Sequence, residues 1–408
     1  MAEQEWQIRG ALETARTLHT TTALDDGAFV LVVGGYDADG YLDAVEWYDS
    51  AQSSTTSRAS LNTARHSHSA DRLADGSVLV VGGYGDAEYL ASAERYDPIV
   101  DEWRDVGVMA DARIGHASLV LPDGRVVVLG GYNDSGLVAT AELFDPATET
   151  WSSVGAMSSP RARHTATLLE DGTVLVAGGF VDEVAVDLVE RFDPTSMSFQ
   201  AVAPLAQARW FHAATRLPDD TVWLVGGQDE LGALASSEIF DPADGMMRDG
   251  PSLMESRTQA SLTSFEDVAR CGDEVVLMAG FSGSSPRASS IAFDPADASL
   301  DAPLWMSLGR LEQTHARLDD CTIAVFGGRT STGFAVEIDR LVELSDGAGG
   351  SGGSSSSAGG GGGGSGDNGC SCAVADASGA WGLPPLFAPL ALLGLALRIA
   401  RSRRRTRA

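Results

Sequence analysis

Seven pairs of small residues recur along the chain at nearly constant spacing, and this spacing limits the folds that are open to it. The first five pairs begin at residues 34, 82, 130, 178 and 226, in steps of 48. The sixth, Ala279 with Gly280, follows after 53 residues, and the seventh begins at Gly327, another 48 residues on. A period of this length is typical of an architecture assembled from repeated supersecondary units.

Each unit contains the same signals in the same order, as the fourth unit shows. An Arg-x-x-His motif begins at Arg161, an Asp-Gly turn follows at 171–172, an Asp-Pro turn lies at 193–194, and the aromatic Phe199 comes last. The runs between these signals are short and rich in valine and leucine, which favours strands joined by tight turns. Four antiparallel strands per unit are typical of a propeller blade.

The aromatic residue that marks the fourth strand predicts how the ring closes. Copies of this marker follow six of the glycine pairs, and the seventh copy is Trp6, 13 residues before His19. We therefore expect a lone N-terminal strand, Glu5 to Arg9, to complete a last blade that ends near Ser345, leaving no open edge. The sequence predicts an all-β, seven-bladed β-propeller over residues 1–346.

The Gly-Gly pair, the Glu-x-[Tyr/Phe]-Asp-Pro segment, the tryptophan and the Arg-x-x-His motif together resemble the kelch repeat over about 340 residues. This resemblance implies the propeller fold but not an activity, since kelch propellers range from a copper oxidase to binding scaffolds. The oxidase needs two tyrosines, two histidines and a thioether-linked cysteine near the axis. We expect the chain not to be an enzyme, because almost every histidine holds a repeat position.

The repeated polar residues are interpreted as structural. Six histidines are assigned to the repeat, and only His66 is additional; the arginines and glutamates recur in the same way. The sixth unit lacks both its histidine (Ala260) and its glutamate (Ile291), so we expect these two side chains to depend on each other within a blade. No cofactor and no metal is predicted. The repeat histidines are His19, His68, His116, His164, His212 and His315, and the glutamates are Glu46, Glu94, Glu142, Glu190, Glu238 and Glu343.

The chain is strongly acidic and has no lysine. Its formal net charge is −29, while residues 347–408 contain six arginines against two aspartates, so the propeller itself is near −33. An acidic surface repels phosphates and anionic lipid headgroups, which argues against nucleic acid as a partner.

The C-terminal segment has a different composition. Residues 347–369 are almost all glycine and serine, a flexible tether. Residues 370–408 then contain Cys370, the mostly apolar stretch 380–397 and an arginine cluster, in an order that resembles the myxobacterial MYXO-CTERM sorting signal. The resemblance implies processing and anchoring at Cys370, and hence export to the cell surface; a retained membrane anchor is the alternative. Residues 1–30 show no export signal, so we expect the true start to lie upstream.

Two cysteines lie within the propeller region. Cys271 and Cys321 fall at the turn between the first and second strands of neighbouring units. A disulfide between them is possible, and two unrelated thiols are the alternative, because sequence does not give their separation.

Candidate ligand-binding residues lie on the face that contains the Arg-x-x-His loops and the loops after the glycine pairs, since alternate turns of a blade fall on opposite faces. Aromatic side chains in loops can stack on sugars or anchor a protein partner, with packing between blades as the alternative. We expect a cell-surface recognition or adhesion module that binds a protein partner through this face, or a carbohydrate-binding module or galactose-oxidase-like enzyme. The candidate residues are Tyr36, His66, Tyr84, Tyr132, Arg163, Trp210 and Phe211.

Overall fold

The structure is a computed structural model, and it describes residues 4–264, 275–283, 285–318 and 321–343. In this part of the chain seven antiparallel sheets, each with four main strands, follow one another. The prediction of an all-β, seven-bladed propeller is therefore confirmed. The blades all lie in the compact unit Met1–Ala348. The tether 347–369, Cys370 and the apolar stretch 380–397 lie outside the described residues, so the expectations for them stay predictions.

The blades are numbered from 1 to 7 along the chain, and their strands from the axis outward. The first strands are Thr20–Leu24, Ser69–Arg72, Ala117–Val120, Thr165–Leu168, Ala213–Arg216, Ser261–Ser264 and Thr314–Arg317. The second strands are Phe29–Val33, Val78–Val81, Val126–Leu129, Val174–Ala177, Val222–Val225, Val275–Met278 and Ile323–Phe326. The third strands are Val45–Asp49, Ser92–Asp97, Thr140–Asp145, Val189–Asp193, Ser237–Asp241, Ser285–Asp294 and Glu337–Glu343.

The fourth strands form the outer edge of each blade. They are Ser54–Arg58, Glu102–Val108, Thr150–Ala156, Ser198–Ala201, Met246–Asp249, Leu304–Arg310 and, for blade 7, Gln4–Ala11. Short hairpins follow four of the glycine pairs, at Tyr84–Gly85 with Glu88–Tyr89, Tyr132–Asn133 with Gly136–Leu137, Phe180–Val181 with Val184–Ala185, and Gln228–Asp229 with Gly232–Ala233. Blade 6 adds the short strands Phe281–Ser282 and Ser299–Leu300, and Asp25–Gly27 is a single 3-10 turn in blade 1.

The N-terminal strand closes the ring, as predicted. Gln4–Ala11 runs antiparallel to Glu337–Glu343, with Trp6 opposite Leu341. It also joins the two neighbouring blades: Trp6 Nε1 donates to Ser290 Oγ of blade 6 at 2.8 Å, and the Tyr48 hydroxyl of blade 1 donates to the Arg9 carbonyl oxygen at 2.8 Å. The strand is longer than the predicted 5–9 because its pairing with blade 7 resumes at Ala11, opposite Glu337, after a shift in register. The Thr55 hydroxyl of blade 1 donates to the Ala11 carbonyl oxygen at 2.8 Å.

The hydrophobic core lies mainly between blades, in seven clusters that each join two neighbouring blades, and an eighth, smaller cluster contains Ile114, Tyr132 and Ala162. The second strands are fully buried valines, leucines and similar residues, and each packs on the second strand of the next blade. First strands of adjacent blades contact each other all the way round, so they surround the central axis. The blades are therefore stabilised mainly by their neighbours, as in other repeat proteins.

The glycine pairs lie where two blades meet most closely. Gly82 and Gly83 have φ of +65° and +101°, and a Cβ on Gly82 would lie 2.7 Å from the Arg113 carbonyl oxygen of the next blade. The Gly83 amide donates to the same oxygen at 3.0 Å. An equivalent hydrogen bond joins every pair of neighbouring blades, including blade 7 to blade 1 through Gly328 and Arg16 at 2.8 Å. At Gly82 and Gly83 both the backbone conformation and the contact distance disfavour a side chain, although blade 6 has Ala279 at the first of the two positions, with φ of 55°.

The repeat arginines pair with the repeat carboxylates. In blade 3 the buried Arg113 donates to Glu142 Oε1 at 2.5 Å, and Glu142 also accepts the amides of Ala110 and Asp111, at 2.7 and 3.3 Å. The pair thus holds the loop that enters the blade. Blades 1, 2, 4 and 5 have the same arrangement.

Two sequence assignments for these pairs need correction. In blade 7 the carboxylate is Asp339, 2.5 Å from Arg310, and not Glu343. In blade 6 Arg257 has no carboxylate at this position; its guanidinium donates to the Ser289 carbonyl oxygen and to Ser289 Oγ, at 3.1 and 3.2 Å.

The repeat histidines join blades and do not contact the glutamates. His116 Nε2 lies 3.1 Å from Ser69 Oγ of the preceding blade, and His19, His68 and His212 make the same contact with a threonine. The expected dependence of histidine on glutamate is therefore not supported, because they have different partners. The seventh repeat position is Gln313, whose Nε2 donates to Ser261 Oγ at 3.3 Å; His315 lies two residues further on.

Replacing His116 with glutamine should change how stability depends on pH. Burial, and next the charge of Arg113, lower the pKa of His116 to about 3. The unfolded chain titrates near 6.5, so the stability from the neutral ring is complete above that pH and is lost as pH falls toward 3. Below pH 6 we expect the wild-type free energy of unfolding to fall relative to H116Q by about 1.4 kcal/mol per pH unit. Urea unfolding of both proteins at pH 7, 6, 5 and 4 checks this. If the free energies of unfolding of wild type and H116Q fall in parallel with pH, the prediction is wrong.

Candidate functional site

One end of the central axis is surrounded by a ring of seven residues, each two positions after a repeat arginine. We call this set the mouth ring. Its members have positive φ and are linked by backbone hydrogen bonds from blade to blade, such as Phe211 N to Arg163 O at 3.2 Å and Arg163 N to Gly115 O at 2.8 Å. The mouth ring consists of Leu18, Ser67, Gly115, Arg163, Phe211, Gln259 and Glu312.

The residue before each mouth-ring member pairs with the residue after a glycine pair. His66 forms an isolated bridge with Tyr84, Ile114 with Tyr132, and Trp210 with Gln228. This pairing places the post-glycine side chains beside the mouth ring, on one face of the propeller. The positive φ at the ring and the short hairpins together direct both sets of side chains to the same surface.

The aromatic side chains on this face form a continuous series of ring contacts across blades 1 to 5. Consecutive ring centroids are between 4.7 and 6.3 Å apart, mostly in edge-to-face or tilted arrangements. We call this series the aromatic belt. Its members are Tyr36, Tyr41, Tyr84, Tyr89, Tyr132, Phe180, Trp210 and Phe211.

Most belt rings are partly exposed, and only Tyr132 is buried, at 6% exposure. Tyr41 and Tyr89 were missed from the sequence. They fall on the returning arm of the hairpin or loop after the glycine pair, where no repeat signal marks them, and they fill the gaps between the post-glycine tyrosines. Burial raises the pKa of Tyr89 to about 12, so its phenol stays neutral and can donate a hydrogen bond.

His66 lies inside the belt between three tyrosines. Its ring stacks on Tyr41 at 5.5 Å and meets Tyr36 and Tyr84 at 5.7 and 5.8 Å. Its Nδ1 lies 2.9 Å from Ser67 Oγ. Burial, and then the nearby charge of Arg163, lower the pKa of His66 to about 4. It is therefore a neutral, packed ring at neutral pH.

Arg163 is the basic member of the mouth ring. Its guanidinium carbon lies 4.8 Å from the Phe211 ring centroid, and its Nε would lie 3.1 Å from a Cβ on Gly115. Its charge also affects the pKa of His66 in blade 2, of His116 in blade 3 and of Glu312 in blade 7.

Glu312 is the acidic group of the mouth ring and was not predicted as a site residue. Its Oε2 accepts a hydrogen bond from Thr17 Oγ1 at 3.1 Å, and burial raises its pKa. Its place was hidden because His315 had been aligned with the repeat histidines, which moved the ring position of blade 7 by two residues. Counting from Arg310 instead would have found it.

The structure brings the seven predicted ligand-binding residues together at the mouth face. The predicted disulfide is not part of this site. Cys321 is disulfide-bonded and lies at the turn between the first and second strands, on the opposite face, but Cys271 lies outside the described residues, so their pairing stays a prediction.

Other surfaces of the described blades have fewer groups that could bind a ligand. An open crevice of about 510 Å³ lies between blades 3 and 4 on the opposite face, beside Pro122, Asp171 and Pro194. Among the residues that the structure describes, no group of three or more His, Cys, Asp or Glu side chains is placed to hold a metal ion. A search of the same residues for a long apolar helix that could span a membrane finds none.

Comparison with known proteins supports a kelch-repeat β-propeller. The kelch motif matches residues 72–109 and 113–158, which lie in blades 2 and 3. The solved structure of YjhT is similar with a TM-score of 0.56 and 15% identity, over 72% of this chain and 99% of that one. A novel fungal alcohol oxidase of the AA5 family, in complex with copper, is similar with a TM-score of 0.64 and 16% identity, over 84% and 76% of the two chains. No curated protein sequence matches the chain.

The expectation that the chain is not an enzyme is contradicted by this comparison, because a copper alcohol oxidase has a similar propeller. The prediction was based on the repeat positions of the histidines, and the fold itself does not separate binding from catalysis. The described residues do not, however, fit the oxidase's copper site. Among them, His66 is the one histidine in contact with the aromatic belt, and Cys321 lies on the opposite face.

Proposed function

We propose that this protein is a recognition module that binds a protein partner across the aromatic belt. The observation that carries the proposal is the belt itself: eight aromatic side chains in continuous contact over five blades, mostly half-buried and on one face. Rings held in this way lose little conformational entropy on binding and present a large amphipathic area.

The composition of the mouth face supports a protein partner. Tyrosine, tryptophan and arginine are enriched among the residues that dominate binding energy in protein interfaces. The belt and mouth ring together contain five tyrosines, Trp210 and Arg163. The acidic charge of the propeller, by contrast, disfavours nucleic acid as the partner.

We also propose that the propeller is displayed on the cell surface. The support is the order of features in the C-terminal segment: the glycine-serine tether, Cys370, the apolar stretch 380–397 and the arginine cluster. A glycine-serine composition is typical of linkers between a domain and an anchor. Mass spectrometry of the mature C-terminus tests the display: a chain ending near Cys370 supports processing.

Site-specific photo-crosslinking on intact producing cells tests the proposed function. A photoreactive residue at Tyr89 samples the belt, and one at Ile99, which is 90% exposed at an Asp-Pro turn, samples the opposite face. We expect a discrete crosslinked species from position 89 and none from position 99. Equal products from both positions would contradict the proposal.

Competition by purified protein makes the test specific. Excess wild-type protein should abolish the crosslink from position 89. Trp210→Ala should compete about 10- to 30-fold less well, the loss typical of a central aromatic contact, while Trp210→Phe should retain most of the activity. If Trp210→Ala competes as well as wild type, the partner does not bind at the aromatic belt.

A further inference from the structure

We infer that Arg163 is a carboxylate-binding subsite at the centre of the mouth. The inference rests on the proposed function, since it assigns the chemistry of one point within the same binding face. It names the group that the ligand must place over the axis: a carboxylate, from an acidic side chain or chain end of a peptide, or from an acidic sugar.

The guanidinium of Arg163 is available to a ligand. In the described ranges its guanidinium has no hydrogen bond and no ion pair; its one recorded side-chain interaction is with the Phe211 ring, at 4.8 Å. The seven repeat arginines, by contrast, are buried and hydrogen-bonded, Arg113 for example to Glu142 and two carbonyl oxygens. A guanidinium has five donors in a planar fork that matches a carboxylate.

The second step is that Arg163 is held in place before any ligand binds. Phe211 lies on one side of it, and the backbone of Gly115 lies close to its Nε. The Phe211 ring is itself stacked on Trp210, at 4.7 Å and an interplanar angle of 29°. A side chain fixed in this way loses less entropy when it forms a bidentate ion pair.

The third step is the neighbouring charge. Burial raises the pKa of Glu312, and the charge of Arg163 is among the influences that lower it, so the two side chains lie near each other. Glu312 accepts one hydrogen bond, from Thr17, and its negative charge opposes a bound carboxylate. The mouth therefore selects a ligand whose anionic group reaches Arg163 directly, in a domain whose overall charge repels anions elsewhere.

Titration of the full chain with charge-matched probes tests the inference. The probes are hexaglutamate against hexaglutamine, and trigalacturonate against the trisaccharide of galactose, followed by isothermal calorimetry at low salt. We expect one acidic probe to bind at least about tenfold more tightly than its neutral counterpart. Which of the two binds shows whether the carboxylate comes from a peptide or a sugar. Equal affinity within both pairs, or binding of none, would overturn the inference.

Two variants assign the effect to the mouth. Arg163→Gln should remove the charge preference, and it should fold because Gln259 occupies the same ring position in blade 6 with φ of 54°. Glu312→Gln should have the opposite effect, a several-fold gain in affinity for the acidic probe, since a repelling charge is removed. If the substitutions acted only by damaging the structure, both variants would bind the acidic probe more weakly than wild type. Arg104→Gln, at an exposed ion pair with Glu149, is the matched control.

The outcomes separate this inference from the proposed function. If Trp210→Ala weakens the crosslinked complex but Arg163→Gln does not change charge preference, the belt binds a partner without a carboxylate at the axis. If the crosslink arises equally from both faces but the acidic probe still binds through Arg163, the mouth is a small-ligand site and the protein partner is wrong.

Discussion

Deleting residues 1–11 is expected to unfold the propeller or leave it aggregated. The deletion removes the fourth strand of blade 7 and exposes the edge of Glu337–Glu343, and it also breaks the links to blade 6 through Trp6 and to blade 1 through Arg9. An open, unpaired edge favours association with other chains. We expect a loss of at least about 5 kcal/mol, the net stability of a typical domain. Size-exclusion chromatography and urea unfolding measure it.

A point substitution in the same strand is the control. Trp6→Phe keeps the strand and an aromatic ring but loses the hydrogen bond to Ser290, so it should lose only about 1 kcal/mol. If the truncated protein stays monomeric and unfolds at the same urea concentration as wild type, the strand does not close the ring in solution.

Replacing Glu142 with isoleucine, the residue at the equivalent position 291 of blade 6, is expected to have the second largest effect. Arg113 would keep its charge in a fully buried place, with the more distant and partly exposed Asp111 carboxylate, at 3.7 Å, as its remaining acidic neighbour. The amides of Ala110 and Asp111 would also lose their acceptor. Breaking a buried ion pair in this way typically destabilises by about 3–5 kcal/mol. Chemical unfolding at pH 7 measures the loss.

The double variant Arg113→Met with Glu142→Ile separates charge from packing. It should lose less than the sum of the single changes, because the buried charge is removed together with its partner. Asp123→Asn, in an exposed ion pair with Arg125 of the same blade, should lose less than about 1 kcal/mol. Equal losses in the buried and exposed variants would show that burial of the pair is not what stabilises the blade.

The architecture could be predicted because each blade repeats the same turn and strand-end signals in the same order. Spacing of the glycine pairs sets the blade number, and the position of Trp6 relative to His19 sets the closure. These signals are local and recur seven times, so one degenerate copy does not hide the pattern. The pairing of histidines with hydroxyls, in contrast, joins residues 47 or 48 apart in neighbouring blades, which a comparison within one blade does not show.

The candidate site was predicted only in part, because several of its contacts also join neighbouring blades. Tyr36, Tyr84 and Tyr132 follow the glycine pairs and stand out in the repeat. Tyr41 and Tyr89 occupy loop positions with no repeat signal, and their contacts arise only when neighbouring blades are side by side. Glu312 was missed because His315 lies two residues beyond the position that histidine occupies in the other blades. That position in blade 7 is Gln313, and the mouth-ring residue before it is Glu312.

The closure of blade 7 has a consequence for how the chain is made. The strand that completes the ring is synthesised before the rest of the propeller, and its partner, Glu337–Glu343, is synthesised more than three hundred residues later. Contacts so distant along the chain form slowly, since a long loop must close before they stabilise anything. Until then six blades are in place beside an incomplete one, with Trp6 unpaired. Newly made chains therefore pass through a ring that is still open, and in that interval two molecules could exchange their first strands.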